Sequence, residues 1–264
     1  MDVSKITIND VSIEWLNMKK LTVKQSTFST YYCIVKRQII PELGEIPLEK
    51  LNSSMINDFT SRKMRSDGED NKKGLGNKTV RDINVVLKSI IKYAEREYQM
   101  CNLAENTVVP RLKKEKIETL TDDEVKTLFN YLWEYRTDPR CAGILLCMYS
   151  GMRLGEICAL RWEDIDLSNR LIYVRHTLQR IAIPDENSIR KTRIVIDEPK
   201  TASSIRTIPI SRQIYRCIKN IRGKADESCF FLTNTDRFVE PRNYQYFFKR
   251  VLQNNGIRSV NFHI

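Results

Sequence analysis

The stretch "YSGMRLGEICALRWEDID", residues 149–166, sets an arginine two residues after a glycine that ends an apolar run. Arg153 would then stand at a buried helix terminus. A guanidinium there can aim a rigid fork of donors at one oxyanion. Glu156 lies three residues further on, so an ion pair at i,i+3 spacing competes with that reading. A second stretch, "EPKTASSIRTIPI", residues 198–210, places Lys200 after Pro199 at a turn between two strands. A lysine on a hairpin tip is ordinarily solvated. Held against a phosphate, it can neutralise charge or give a proton to a leaving oxygen. Ser203, Ser204 and Arg206 follow, and such side chains commonly contact phosphates. The third stretch is the end, "GIRSVNFHI", where His263, one of only two histidines, precedes Ile264. A terminal segment is ordinarily frayed, so spacing alone leaves its role open.

The bulk composition narrows the partners. The 264 residues contain 44 Lys+Arg against 33 Asp+Glu, for a net charge of +11. Such a balance suits a polyanion partner, although positive charge can also serve solubility alone. Hydrophobic residues at 41% and charged residues at 29% are those of a soluble globular chain. No run approaches the ~18 apolar residues that a membrane span requires. The N-terminal sequence lacks the layout of a signal peptide. Seven cysteines are scattered with no CxxC pair, and none stands near a histidine at zinc-ligand spacing. They read as reduced core residues of a cytoplasmic protein, and no metal site is expected.

The elements that must position these residues follow from periodicity. Helices are expected over "INDVSIEWLNMKK" and over "STFSTYYCIVKRQII", with Pro41 stopping the second. A third covers "SSMINDFTSRKMR", and residues 66–76 form a polar loop. Asn77 is expected to cap a fourth helix with the apolar stripe Val80, Ile83, Leu87, Ile90, Ile91 and Ala94. These four make a small bundle over residues 1–104, followed by a basic linker over 105–118. Residues 119–264 form a second domain. It opens with a capping box at Thr121 and Glu124. A buried helix follows, with Asp138 as cap, Pro139 at its first position and Gly151 at its end. Strands are expected in "RLIYVRHTL", "TRIVIDEP", "SSIRTIPI" and "CFFL". Helices begin at Ser211 and Pro241. The fold class is therefore mainly α with a small β-sheet, an α+β arrangement.

Together these stretches resemble a known family. "SGMRLGEICALRWEDID" is similar to the first arginine box of the tyrosine recombinases, the phage-type integrases. "PKTASSIRTIPI" resembles their β-hairpin lysine segment, and "VNFHI" the start of their His-x-x-Arg box. "GNKTVRDINVVLKSIIKYAERE" looks like part of their core-binding, SAM-like domain. The resemblance covers nearly the whole chain. It implies an N-terminal core-binding bundle and a C-terminal catalytic domain. It also implies site-specific recombination or integration of a mobile element or prophage. In that reaction a tyrosine oxygen attacks a DNA phosphate, giving a 3′-phosphotyrosyl enzyme and a free 5′-hydroxyl. No metal or cofactor is needed, because side chains neutralise the transition state. By matching motif, Arg153 would clamp the phosphate, Lys200 would protonate the leaving 5′-oxygen, and His263 would bond the scissile phosphate. Glu156 matches a position that is usually structural.

The pattern departs from the family at its end. The second arginine of the box would fall two residues past Ile264, and neither the following His or Trp nor the nucleophilic tyrosine is in the sequence. The resemblance thus implies a catalytic domain lacking its C-terminal end, which binds DNA without cleaving it. Backbone contacts are expected at Lys73, Lys78, Thr79, Arg81 and Lys88, and at Ser204 and Arg206. The expected partners are double-stranded DNA at recombination core sites, a homotetramer for the intact protein, and an accessory DNA-bending or excisionase protein. Two other readings remain open: a naturally truncated competitor or regulator of recombination, and a basic helical DNA-binding protein unrelated to recombinases.

Overall fold

A threonine with an acidic residue three positions later starts a helix in each half of the chain. Helix α1, Ile8–Thr22, opens at Thr7, whose hydroxyl accepts from the Asp10 N–H at 3.3 Å while Asp10 accepts from the Thr7 N–H at 3.0 Å. Helix α6, Asp122–Glu134, opens the same way at Thr121 and Glu124, with distances of 3.3 and 2.7 Å. Each pair satisfies two N–H groups that the first helical turn leaves without partners.

The structure is a computed structural model that describes residues 5–64, 74–100, 107–111, 119–184, 191–197 and 206–262. The expected contacts Lys73, Lys200, Ser204 and His263 lie outside the described residues, as does most of the linker. The chain divides into two compact units. One comprises Met1–Glu115 with Ile181–Arg193, the other Lys116–Arg180 with Ile194–Ile264.

The first unit packs α1, α2 (Gln25–Ile34), α3 (Ile40–Leu43), α4 (Ser53–Met64) and α5 (Asn77–Glu97). All six residues of the expected α5 stripe are buried. Five of them, Ile83, Leu87, Ile90, Ile91 and Ala94, meet Trp15, Ile39, Leu43, Ile56 and Phe59 in one apolar core. Two polar contacts lie within this packing. The Trp15 indole donates to Ser89 Oγ at 3.2 Å. Thr60 Oγ1, buried on α4, lies 2.9 Å from Asn84 Oδ1 on α5, and the Asn84 amide donates to the Val80 carbonyl at 3.0 Å. Two expectations need correction. Pro41 does not stop the second helix: the chain widens into a π turn over Val35–Ile39 and runs on as α3. Proline has no N–H to give the regular ladder, and a wider turn accommodates that loss without ending the helix. Gly76, with no side-chain cap bond, takes the N-cap position of α5, and Asn77 is the first helical residue.

In the second unit α7, Pro139–Ser150, is the buried helix. Asp138 caps it with a carboxylate that accepts from the Arg140 N–H at 2.8 Å. Gly151 ends it at a φ of 64°, the left-handed conformation that glycine adopts without strain. Helix α8 (Leu154–Ala159) leads into strand β1 (Ile165–Asp166). Strand β1 pairs antiparallel with β2 (Leu171–Val174), and β2 pairs antiparallel with β5 (Arg206–Pro209). Strands β3 (Thr177–Ala182) and β4 (Thr192–Asp197) form a separate two-stranded sheet, of which residues 181–182 and 192–193 fall in the first unit. Helices α9 (Arg212–Arg222) and α10 (Pro241–Asn254) complete the unit. The fold is mainly helical with small sheets.

Two strand expectations are corrected here. "RLIYVRHTL" is not one strand, because it breaks at Arg175 and His176 into β2 and β3. "CFFL" is no strand either. Phe230 makes only isolated bridges to Arg161 and Thr235, and the aromatic residues bury instead within a tight turn. Phe231, wholly buried, packs against Trp162 with ring centroids 5.1 Å apart.

Candidate functional site

Glu156 organises the site. It lies on α8 with only 3% of its side chain exposed, and it holds two arginines at once. Arg153, the residue before α8, donates its main-chain N–H to Oε2 at 2.8 Å and its Nη1 to Oε1 at 2.9 Å. The carboxylate thereby caps α8, while arginine has no acceptor with which to complete the reciprocal box. Arg206, at the first position of β5, grips the same carboxylate with Nη1 at 3.1 Å and Nη2 at 2.9 Å. Arg206 Nη2 also reaches the Gly151 carbonyl at 3.5 Å. The bidentate fork fixes one guanidinium plane.

This geometry settles the competition at Arg153. The ion pair with Glu156 forms, yet 64% of the Arg153 side chain is exposed. The expected buried terminus is therefore corrected: Met152 takes the buried position and Arg153 faces outward. Two guanidiniums share this carboxylate, so these three side chains together carry a net positive charge. Burial pushes the Glu156 carboxyl up, but hydrogen bonds from Arg206 and from Arg153 outweigh it and hold the group below its usual range. Glu156 therefore stays ionised at neutral pH.

Gly155 permits this arrangement. A Cβ there would meet Thr177 Oγ1 at 2.5 Å and the Leu178 carbonyl at 2.8 Å. Only a glycine lets α8 approach β3 so closely. Beside Arg153 opens a largely apolar cleft of about 800 Å³, walled by Leu120, Val125, Ile144, Met148 and Phe248 and reaching Phe262. Behind the site, Asp164 is buried, with Arg175 Nη1 3.6 Å from its Oδ1. Burial raises the Asp164 carboxyl, while the Arg161 N–H and the nearby His176 and Arg175 act the other way.

In the first unit, Lys78, Thr79 and Arg81 are exposed on α5, while Lys88 is half-buried with Nζ 3.5 Å from the Thr107 carbonyl. At about 100° per residue, Lys78, Arg81 and Lys88 share one face, and Thr79 points away from it, on the side opposite Lys88. Exposed Lys92 continues that face. It escaped the sequence reading, although its spacing of four from Lys88 signals it. The joining of Arg206 to Glu156 also escaped, because fifty positions separate the two residues. Among the described residues no three His, Cys, Asp or Glu side chains gather to hold a metal ion. The six described cysteines are free thiols, and no described helix is long and apolar enough to cross a membrane.

Comparison with known proteins places the fold. The chain is 25% identical over 287 residues to a tyrosine recombinase XerC-like protein of Caldanaerobacter subterraneus, covering all of this chain and 71% of that one. It is 24% identical to the prophage integrase IntR of Escherichia coli over 81% of this chain and 50% of the relative. It is 30% identical to the integrase of Staphylococcus phage L54a over 51% of this chain and 42% of the relative. The chain thus spans about half or less of the length of these last two. In fold it is similar to the Tn1549 transposon integrase solved with transposon right end DNA, with a TM-score of 0.75 at 20% identity, covering 98% of this chain and 83% of that one. It is likewise similar to the lambda integrase solved bound to DNA, with a TM-score of 0.65 at 18% identity and the same two coverages. The N-terminal SAM-like domain of phage integrases matches residues 7–64. The phage integrase family matches residues 118–264, which hold Glu156 and both of its arginines, and the chain belongs to that family.

Proposed function

We propose that this chain binds duplex DNA and grips one backbone phosphate at the Arg153–Arg206 pair, as the phosphate-clamping part of a site-specific tyrosine recombinase. The observation that carries the reading is the sharing of Glu156 by two guanidiniums. One carboxylate orients both, leaves the cluster cationic and keeps most of Arg153 open to a ligand. Donors fixed before the reaction stabilise developing charge on the phosphorane without a reorganisation cost.

In the complete reaction a tyrosine oxygen bonds to phosphorus and the bond to the 5′-oxygen breaks. That oxygen takes a proton from Lys200, and His263 steadies the scissile phosphate. The energy of the broken ester is kept in the phosphotyrosine for religation. The nucleophile is not among the tyrosines of these 264 residues: all eleven precede His263. Tyr244, the one closest to the chemistry in sequence apart from Tyr246, is wholly buried and donates its hydroxyl to the Arg140 carbonyl at 2.7 Å. Burial pushes that hydroxyl well above its ordinary pKa. No tyrosine of these 264 residues is proposed as the nucleophile, so binding without a covalent adduct is the expectation for them. The lambda integrase has been solved as a tetramer on a Holliday junction, and the whole protein is proposed to assemble in that way, with an accessory DNA-bending or excisionase protein.

The test is incubation of the chain with end-labelled duplex DNA, read on a native gel and on a denaturing gel. A retarded native band with no covalent adduct is expected. Arg153→Gln should weaken the retarded complex. An adduct, or the absence of any retarded complex, would overturn the reading.

A further inference from the structure

A cationic cleft lies in the same unit, away from Glu156. It encloses about 300 Å³ between the turn after β1 and the first turns of α9, and it is lined by Leu167, Ser168, Arg170, Arg212, Tyr215 and Arg216. The register of β2 with β5 locates it. Arg206 pairs with Val174 at one end of the ladder, and Pro209 pairs with Leu171, next to Arg170, at the other. Three residue steps of strand, about 10 Å, separate the two ends.

The cleft is built rather than incidental. The Ile210 N–H donates to the Arg170 carbonyl at 2.8 Å, which ties the turn to the start of α9. Ser211 caps that helix through the Ile214 N–H at 3.4 Å. The nearest carboxylate in the sequence, Asp166, is already committed to the turn: it accepts from the Ser168 and Asn169 N–H groups, each at 2.9 Å, and from the Asn169 amide at 2.8 Å. Arg170 takes a φ of 54°, in the left-handed region that non-glycine residues seldom adopt.

The charge has no internal explanation. Among the described residues Arg170, Arg212, Arg216 and Lys219 make no ion pair. Helix α9 carries Arg212, Arg216, Lys219 and Arg222 without one carboxylate of its own. Arg212 stands at the first helical position, where the aligned peptide dipoles already present positive charge. That placement opposes the folding of the free protein and favours an anion in the cleft. Arg212, Arg216 and Lys219 follow i, i+4, i+7 spacing, so they share a face and extend about 10 Å along it. A line of that length exceeds one small anion and suits consecutive phosphates of a nucleic-acid backbone.

We infer that this cleft is a second site for DNA backbone phosphates, set by Arg170, Arg212 and Arg216 and continued by Lys219; the inference rests on the DNA-binding reading above. It predicts a footprint that extends beyond the phosphate held at Arg153. The test compares the 264-residue chain with Arg212→Gln/Arg216→Gln, with Arg170→Gln on a separate element, and with Lys50→Gln/Lys126→Gln as a control of equal charge loss. Affinity for a generic duplex is measured by fluorescence anisotropy across a salt series. Each lost contact should flatten the slope of log K against log salt by about 0.9, so the double variant should lose about 2, Arg170→Gln about 1, and the control much less. Slopes equal to those of the control overturn this inference and leave the Arg153 reading standing. No binding by the parent chain overturns both. A cleft-dependent rise in melting temperature with inorganic phosphate, together with unchanged DNA slopes, assigns the site to a free anion and also overturns it.

Discussion

At the residue scale the decisive side chain is the carboxylate between two arginines. Glu156→Gln keeps the shape but removes the charge that reconciles two guanidiniums. It should destabilise the chain by about 2 kcal/mol, less than a fully buried pair loses because both arginines reach solvent. Denaturant unfolding at neutral pH measures this. The pH dependence follows from the sign of the shift. The Glu156 carboxyl is held below its usual range in the fold, so its contribution is present above the unfolded carboxylate pKa and is lost as the pH falls through the lower, folded value. Glu156→Gln should lack that part of the acid transition, and the gap between the two proteins should narrow as acid is added. Half of the site was legible in the sequence: Arg153 and Glu156 stand three residues apart next to a helix-ending glycine. Arg206 was legible as a phosphate contact, but its place on Glu156 was not, because Arg206 arrives from strand β5, and only the pairing of β2 with β5 brings it to the same carboxylate.

At the element scale, helices were readable where local chemistry decides. The capping box at Thr121, the glycine at the end of α7 and the apolar stripe of α5 are local signals, and the elements formed where those signals stood. The misreadings occurred where tertiary packing overrides local preference. Pro41 is carried through by a π turn, and the aromatic run around Phe231 buries in a turn against Trp162 rather than in a strand. Two substitutions test the packing that holds the elements. Thr60→Val removes a hydroxyl whose one proton is shared between the Ile56 carbonyl at 2.8 Å and Asn84 Oδ1 at 2.9 Å inside the α4–α5 contact, and should cost about 1–2 kcal/mol, read from the denaturation midpoint at unchanged slope. Gly155→Ala forces a methyl onto the Leu178 carbonyl and should cost about 2 kcal/mol. Because it pries α8 from β3, it should also weaken DNA binding at temperatures well below its melting point, which Thr60→Val should not.

At the scale of the whole molecule the net charge of +11 accompanies the three cationic surfaces described. They are the α5 face with Lys78, Arg81 and Lys92, the arginine pair on Glu156, and the cleft at the start of α9. The sequence disclosed the excess of charge and the first of these surfaces, since helical periodicity alone sorts α5 into a buried and a basic face. The last needed the turn at Arg170 to be folded against α9. The measurement that bears most directly on the central claim is the equilibrium affinity of the intact chain for duplex DNA as salt is raised. With about six phosphates engaged, affinity should fall ~10³-fold between roughly 50 and 200 mM salt. An affinity that stays flat over that range would contradict the phosphate-binding account.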